Sequence, residues 1–187
     1  MDNAGTVTTK SNLKTIDIAY IALGAALIAV CSWISIPTAV PFTLQTFAVF
    51  AVLSLLGGKR GTLATLIYIL LGSVGAPVFA GFTGGVGVIL GTTGGYIIGF
   101  ILTGLIYILF EKLFKKKLYI EVIALVIGLA ACYAVGTVWF MTVYSRGNGP
   151  IGAMTALGWC VFPFIIPDLI KLGLALTLAR RIRPVIK

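Results

Sequence analysis

The sequence contains no histidine, and only five of its 187 residues are acidic. Catalytic triads with an imidazole base and most zinc sites are therefore excluded. An aspartyl protease needs two carboxylates that share a proton, whereas only Asp168 lies deep within an apolar segment. The GxxxxGK(S/T) phosphate loop is also absent, so the chain does not hydrolyse ATP by that route. These absences predict a protein that is not an enzyme.

Cysteine is scarce as well. Cys31, Cys132 and Cys160 are isolated in apolar segments, and none of them belongs to a CxxC pair. This placement favours small buried hydrophobic side chains over a disulfide framework or a thiolate metal site. The sequence therefore predicts neither a metal nor a cofactor.

Charged residues make up only 10% of the chain, compared with about 25% in soluble domains. No charge occurs from Ile18 to Gly58 or from Gly61 to Phe110. Each run is more than twice as long as the roughly 20 residues that one helix needs to cross a bilayer. We therefore expect an all-α integral membrane protein. Its six transmembrane helices are predicted at about 15–36, 42–56, 61–72, 93–110, 119–144 and 151–179.

The basic residues are unevenly distributed between the two sides of such a six-span chain. Only Arg146 falls on one side and Lys171 lies within a span. Twelve fall on the other side: Lys10, Lys14, Lys59, Arg60, Lys112, Lys115, Lys116, Lys117, Arg180, Arg181, Arg183 and Lys187. The positive-inside rule then predicts that both termini are cytoplasmic. We expect a multi-pass protein of the plasma membrane. Residues 1–14 are expected to form a cytoplasmic tail and 15–187 a single membrane domain, with lipid rather than nucleic acid as the partner of the basic loops.

The stretch 72–100 is apolar, uncharged and unusually rich in glycine. Each glycine in a helix costs about 1 kcal/mol relative to alanine, and Pro77 interrupts any helix that runs through this stretch. We expect a loop between helices 3 and 4 that folds back on itself on the outer side and forms the wall of a pocket. Phe79, Phe82 and Tyr96 are candidates for aromatic surface there. A glycine-rich transmembrane helix is the alternative.

Polar side chains within the apolar spans are the remaining candidates for a site. Asp168 and Lys171 share one face of the sixth helix, where charges are costly and usually functional; a structural ion pair is the alternative. Gln45, near the start of the second span, also needs a polar partner. Trp139 and Tyr144 at the outer end of the fifth span are further candidates, unless they form an interfacial aromatic belt. Such a site suits a small, largely apolar solute with N–H groups and a carboxylate.

Several segments resemble the biotin-specific substrate-binding subunits (S-components) of energy-coupling factor transporters. They are GAPVFAGFTGG at 75–85, which includes Gly84, GGYIIGF at 94–100, VPFTLQT at 40–46 and PDLIK at 167–171. The resemblance covers nearly the whole chain beyond the N-terminal tail. One departure is Thr92, where many members of the family have proline.

The resemblance implies a six-helix subunit that captures biotin from outside. Two cytoplasmic ATPases would supply the energy through a transmembrane coupling protein. Asp168 would accept the ureido N–H groups of biotin, and Lys171 would assist with its polar ends. The face formed by Ala22 and Ala26 would dock on the coupling protein. Two other interpretations remain: a self-contained transporter driven by protons through Asp168, and a structural subunit that binds no small molecule.

Overall fold

The computed structural model describes residues 14–38, 40–115 and 117–185, so nearly all of the expected N-terminal tail lies outside the described residues. The described chain is mostly helical. Eight α-helices, two short strands and a 3₁₀ turn at Ala80–Phe82 follow in the order α1 Thr15–Trp33, β1 Ser35–Ile36, β2 Phe42–Thr43, α2 Gln45–Leu56, α3 Gly58–Ser73, α4 Val86–Leu90, α5 Gly94–Leu113, α6 Leu118–Asn148, α7 Ala153–Cys160 and α8 Phe162–Ile182.

Four helical segments are long and apolar enough to cross a membrane: Thr15–Trp33, Gly94–Leu113, Leu118–Asn148 and Ala153–Ile182. The predicted second span is a shorter apolar helix, Gln45–Leu56. Large hydrophobic side chains such as Leu23 and Leu105 are exposed on the outside of the bundle, where a bilayer would cover them. This architecture agrees with the expected all-α integral membrane protein.

The predicted sixth span is divided into two helices. α7 ends at Cys160 and α8 begins at Phe162, with a proline at the first turn of α8. Pro163 is tolerated there because the first N–H groups of a helix have no partner within it. The break at Val161 determines how α8 enters the bundle.

Helices α5 and α6 pack closely through glycines. A Cβ atom placed on Gly99 would lie 2.7 Å from Sγ of Cys132, and one on Gly128 would lie 2.8 Å from Cγ2 and 3.0 Å from Cα of Thr103. Glycine is required at these positions because any side chain would force the backbones apart. The interface between α5 and α6 also forms one wall of the cavity described below.

We expect Gly128→Ala to destabilise the protein by about 1–3 kcal/mol, because the added methyl group overpacks the contact with Thr103. Gly173→Ala is the matched control, since nothing lies within 4 Å of a Cβ placed on that helical glycine. Thermal unfolding of both variants in detergent checks this. Equal unfolding temperatures would contradict the close approach of α5 and α6.

The glycine-rich stretch is not a single helix. After α3 the chain reverses, and Phe79 pairs with Thr83 in an isolated bridge. Gly75, Gly81 and Gly85 have positive φ, which glycine adopts without strain, and Phe82 has φ 58°. The predicted reversal is therefore confirmed. Its first part is attached to the end of α1, where the Trp33 indole N–H donates to the carbonyl oxygen of Pro77 at 2.8 Å.

Charged side chains bring several helix ends together at one end of the bundle. Arg60 pairs with Asp17 at 2.6 Å, and Arg183 pairs with Glu121 at 2.9 Å. Glu111 accepts the backbone N–H at the start of α3 at 2.6 Å. The start of α1, α3 and α6 and the end of α5 and α8 therefore lie at the same end of the bundle.

Candidate ligand-binding site

A cavity of about 270 Å³ lies between the reversed segment and helices α2, α5, α6 and α8. Most of its wall is apolar and aromatic, and a polar cluster lies on the α2, α6 and α8 side. The lining residues are Val40, Pro41, Thr43, Gln45, Thr46, Phe79, Ala80, Thr83, Val88, Thr93, Tyr96, Ile97, Phe100, Leu129, Cys132, Tyr133, Cys160, Phe164, Asp168 and Lys171. Its size is close to the lower end of small-molecule pockets, about 300–1,000 Å³.

Five of the predicted site residues line this one cavity: Gln45, Phe79, Tyr96, Asp168 and Lys171. Gln45 and Phe79 meet at Tyr68, whose hydroxyl accepts the Gln45 amide at 3.0 Å and whose ring contacts Phe79 edge-on. Tyr96 is held by a 3.0 Å hydrogen bond to Thr137 on α6. The fold thus brings residues from α2, α5, α8 and the reversed segment to one place.

Phe82 and Gly84 do not line the cavity. The Phe82 side chain is 63% exposed and stacks on Trp33, with ring centroids 5.0 Å apart. It faces away because the left-handed conformation at Gly81 and Phe82 turns the chain between Phe79 and Thr83. Gly84 lies against the backbone carbonyl of Ala76, so its role is close backbone packing.

Trp139 and Tyr144 also lie outside the cavity wall. The Trp139 indole N–H donates to the carbonyl oxygen of Gly91 at 2.9 Å, so this side chain holds the start of α5 against α6. Tyr144 packs between Phe140 and Trp159, at ring-centroid distances of 5.5 and 5.9 Å. Both aromatic rings are used in contacts between helices.

Lys171 is almost fully buried, and its ammonium group is enclosed by the protein. Its Nζ lies 2.8 Å from Oδ1 of Asp168, 2.7 Å from the carbonyl oxygen of Thr43 and 3.2 Å from Oγ1 of Thr46. The Phe42 ring lies 4.2 Å from the same atom and adds a cation–π contact. The structural ion pair that the sequence left as an alternative is therefore formed.

Asp168 is held by three side chains from three helices. Thr46 donates to Oδ1 at 2.8 Å, and the Tyr133 hydroxyl donates to Oδ2 at 2.6 Å. Sequence reasoning selected neither Tyr133 nor Thr46 as a site residue. A tyrosine and a threonine within apolar spans are weak signals by themselves, and only the fold shows that both face Asp168.

The two alanines proposed for partner docking lie on the exposed side of α1. Ala22 and Ala26 are solvent-accessible in the isolated chain, whereas Ala25 and Ile28 on the other side of the helix are buried in the core. A shallow groove lined by alanines and Trp33 runs along this face. Within the described chain Ala22 and Ala26 are therefore not buried against another helix.

Comparison with known proteins supports one family. The BioY family model matches residues 6–187. The biotin transporter BioY of Thermotoga maritima is 44% identical over 84% of this chain and 90% of its own, and a probable biotin transporter of Pyrococcus horikoshii is 37% identical over 91% and 98%. A crystal structure of the S-component for biotin from an ECF-type ABC transporter superposes with a TM-score of 0.79 and 28% identity, over 92% of this chain and 95% of that one.

Proposed function

This chain belongs to the BioY family, and we propose that it captures biotin from outside the cell as the substrate-binding subunit of an ATP-driven energy-coupling factor importer. Its relatives are named as transporters, so its role is transport rather than catalysis. The observation that carries the proposal is the cavity with aromatic walls and a buried, hydrogen-bonded carboxylate, that of Asp168.

The two parts of the cavity match the two parts of the proposed ligand. Phe79, Phe100 and Phe164 provide apolar surface for the ring system and aliphatic chain of biotin. Asp168 accepts a ureido N–H group, an interaction that is strengthened by the carboxylate charge and by exclusion of water. Lys171 acts by pairing with Asp168 and holding its side chain in position, because the protein itself provides partners for its ammonium group.

We further propose six membrane crossings with both termini in the cytoplasm and the cavity opening outward. The ion pairs Arg60–Asp17 and Arg183–Glu121 support this arrangement, because they gather the basic residues at the end of the bundle opposite the reversed segment. The lack of a phosphate loop supports a module with separate ATPases, linked by a transmembrane coupling protein.

Calorimetric titration of the purified chain with biotin tests the binding step directly. Saturable binding is expected without any partner subunit, since the single chain already forms a cavity with a buried carboxylate. Pentanoate, which has the carboxylate and chain but no ureido ring, is the matched ligand control and should bind far more weakly. A purified, folded chain that takes up no biotin would overturn the proposal.

The proton-driven alternative makes a different prediction for cells. Uptake that collapses with the proton gradient while ATP is maintained would favour that alternative. Uptake that requires the ATPases and survives loss of the gradient supports the importer.

Replacing both Ala22 and Ala26 with leucine is expected to disrupt partner docking while biotin binding by the purified chain remains intact. The bulk that this adds to a close helix–helix contact costs about 1–3 kcal/mol, which corresponds to a roughly 5- to 150-fold weaker association. Co-purification with the coupling protein and biotin uptake by cells measure the effect.

The matched control replaces Ala130 and Ala134 with leucine, since these alanines are also exposed and four residues apart but lie on α6. That variant should assemble and transport normally. If the variant with leucine at positions 22 and 26 lost biotin binding but still assembled with the coupling protein, this face of α1 would pack inside the subunit and not on a partner.

A further inference from the structure

The hydrogen bonds around Lys171 leave it no proton to offer a ligand. An ammonium group has three N–H donors. In the structure three acceptors surround it, namely Oδ1 of Asp168, the carbonyl oxygen of Thr43 and Oγ1 of Thr46. Turning one of these donors toward a ligand would leave a buried partner unsatisfied, which is costly. A ligand is therefore recognised by other atoms of this cluster.

The two oxygens of Asp168 differ in how fully they are used. A carboxylate offers about two acceptor positions on each oxygen. Oδ1 already accepts from Lys171 and Thr46, both at 2.8 Å. Among the described residues, Oδ2 accepts only from the Tyr133 hydroxyl, at 2.6 Å. Oδ2 therefore has an acceptor position left for a ligand. Tyr133, which bonds to Oδ2, also lines the cavity.

We propose that Tyr133 is a specificity-determining residue, which together with Oδ2 of Asp168 recognises the edge of a cyclic urea. This edge carries one N–H group beside the carbonyl oxygen. The inference rests on the proposed binding of biotin. Oδ2 accepts the ligand N–H, and the Tyr133 hydroxyl turns its hydrogen from Oδ2 to the urea oxygen. One internal hydrogen bond is exchanged for two with the ligand, and no proton is transferred between heavy atoms.

The geometry of the pair suits this exchange. An acceptor and a donor that lie side by side can contact a neighbouring N–H and C=O of the same ligand. A phenol hydrogen rotates about the C–O bond, so it can change partner, and the two oxygens then move apart to an ordinary non-bonded distance. Asp168 keeps Lys171 and Thr46 on Oδ1 throughout, so no buried charge loses its partner during the exchange.

The test compares biotin with its analogue in which sulfur replaces the urea oxygen, a weaker acceptor. Wild-type protein is expected to prefer biotin, and Tyr133→Phe should lower biotin affinity by roughly three- to tenfold while affecting the sulfur analogue little. The ratio of the two affinities should therefore approach one in Tyr133→Phe. Tyr119→Phe makes the same change at an exposed position of α6 and should keep the wild-type ratio.

If Tyr133 has only a structural role, its replacement should weaken the binding of both ligands equally. The ratio of their affinities would then stay unchanged, and that result would overturn the inference. A wild-type protein that binds both ligands equally would overturn it as well, without any variant. Tyr133→Leu also lacks the hydroxyl and provides the same comparison should the phenylalanine variant not fold. Wild-type protein that binds no biotin would refute the proposed function itself, whereas biotin binding with an unchanged ratio refutes only the role of Tyr133.

Discussion

Asp168→Asn is expected to lower the affinity for biotin at least about tenfold. The side chain keeps its shape, but the charge is lost, and one acceptor oxygen becomes an amide donor that opposes the ligand N–H. Hydrogen bonds to a charged group contribute about 1.5–3 kcal/mol, so the loss of one accounts for a tenfold effect or more. Calorimetry on the purified variant measures the change.

Asp17→Asn is the matched control for this experiment. It makes the same substitution at another buried carboxylate, which pairs with Arg60 at the charged end of the bundle, away from the cavity. Its stability is expected to fall while its affinity for biotin stays at the wild-type value. Wild-type affinity in a folded Asp168→Asn variant would remove Asp168 from the site.

Lys171→Met is expected to destabilise the protein by about 3–5 kcal/mol, because it leaves the Asp168 carboxylate buried without its cation. That is a large fraction of a typical stability of about 5–15 kcal/mol. The double variant Asp168→Asn/Lys171→Met removes both charges and should recover much of the loss. Unfolding in detergent of the wild type, the single variant and the double variant measures this order.

The same lysine variant also tests how Lys171 acts on the ligand. All three ammonium protons have protein partners, so the loss of affinity should be equal for biotin and for its uncharged amide derivative. A larger loss for biotin would show instead that the ammonium group meets the ligand carboxylate. A double variant no more stable than Lys171→Met would contradict the buried pair as the cause of the instability.

The membrane character and most of the helices could be predicted from the sequence. Long apolar runs, the clustering of basic residues and the prolines of the last span act locally, on residues close in the chain. Such signals identified the pair formed by Asp168 and Lys171, because residues three apart on a helix share a face. They also identified the reversal of the glycine-rich stretch, since glycine there permits positive φ.

The neighbours of Asp168 could not be predicted in this way. Thr46 and Tyr133 lie 122 and 35 positions from Asp168 in the chain, and each meets it only because α2, α6 and α8 converge. Likewise, Phe79 enters the cavity whereas Phe82, three residues later, faces outward, because two successive left-handed residues lie between Ala80 and Thr83. The sequence by itself determined which segments form a membrane bundle, since that follows from local hydrophobicity. Which of their residues face the same cavity depends on helix packing and backbone turns, and these are set by contacts between residues far apart in the chain.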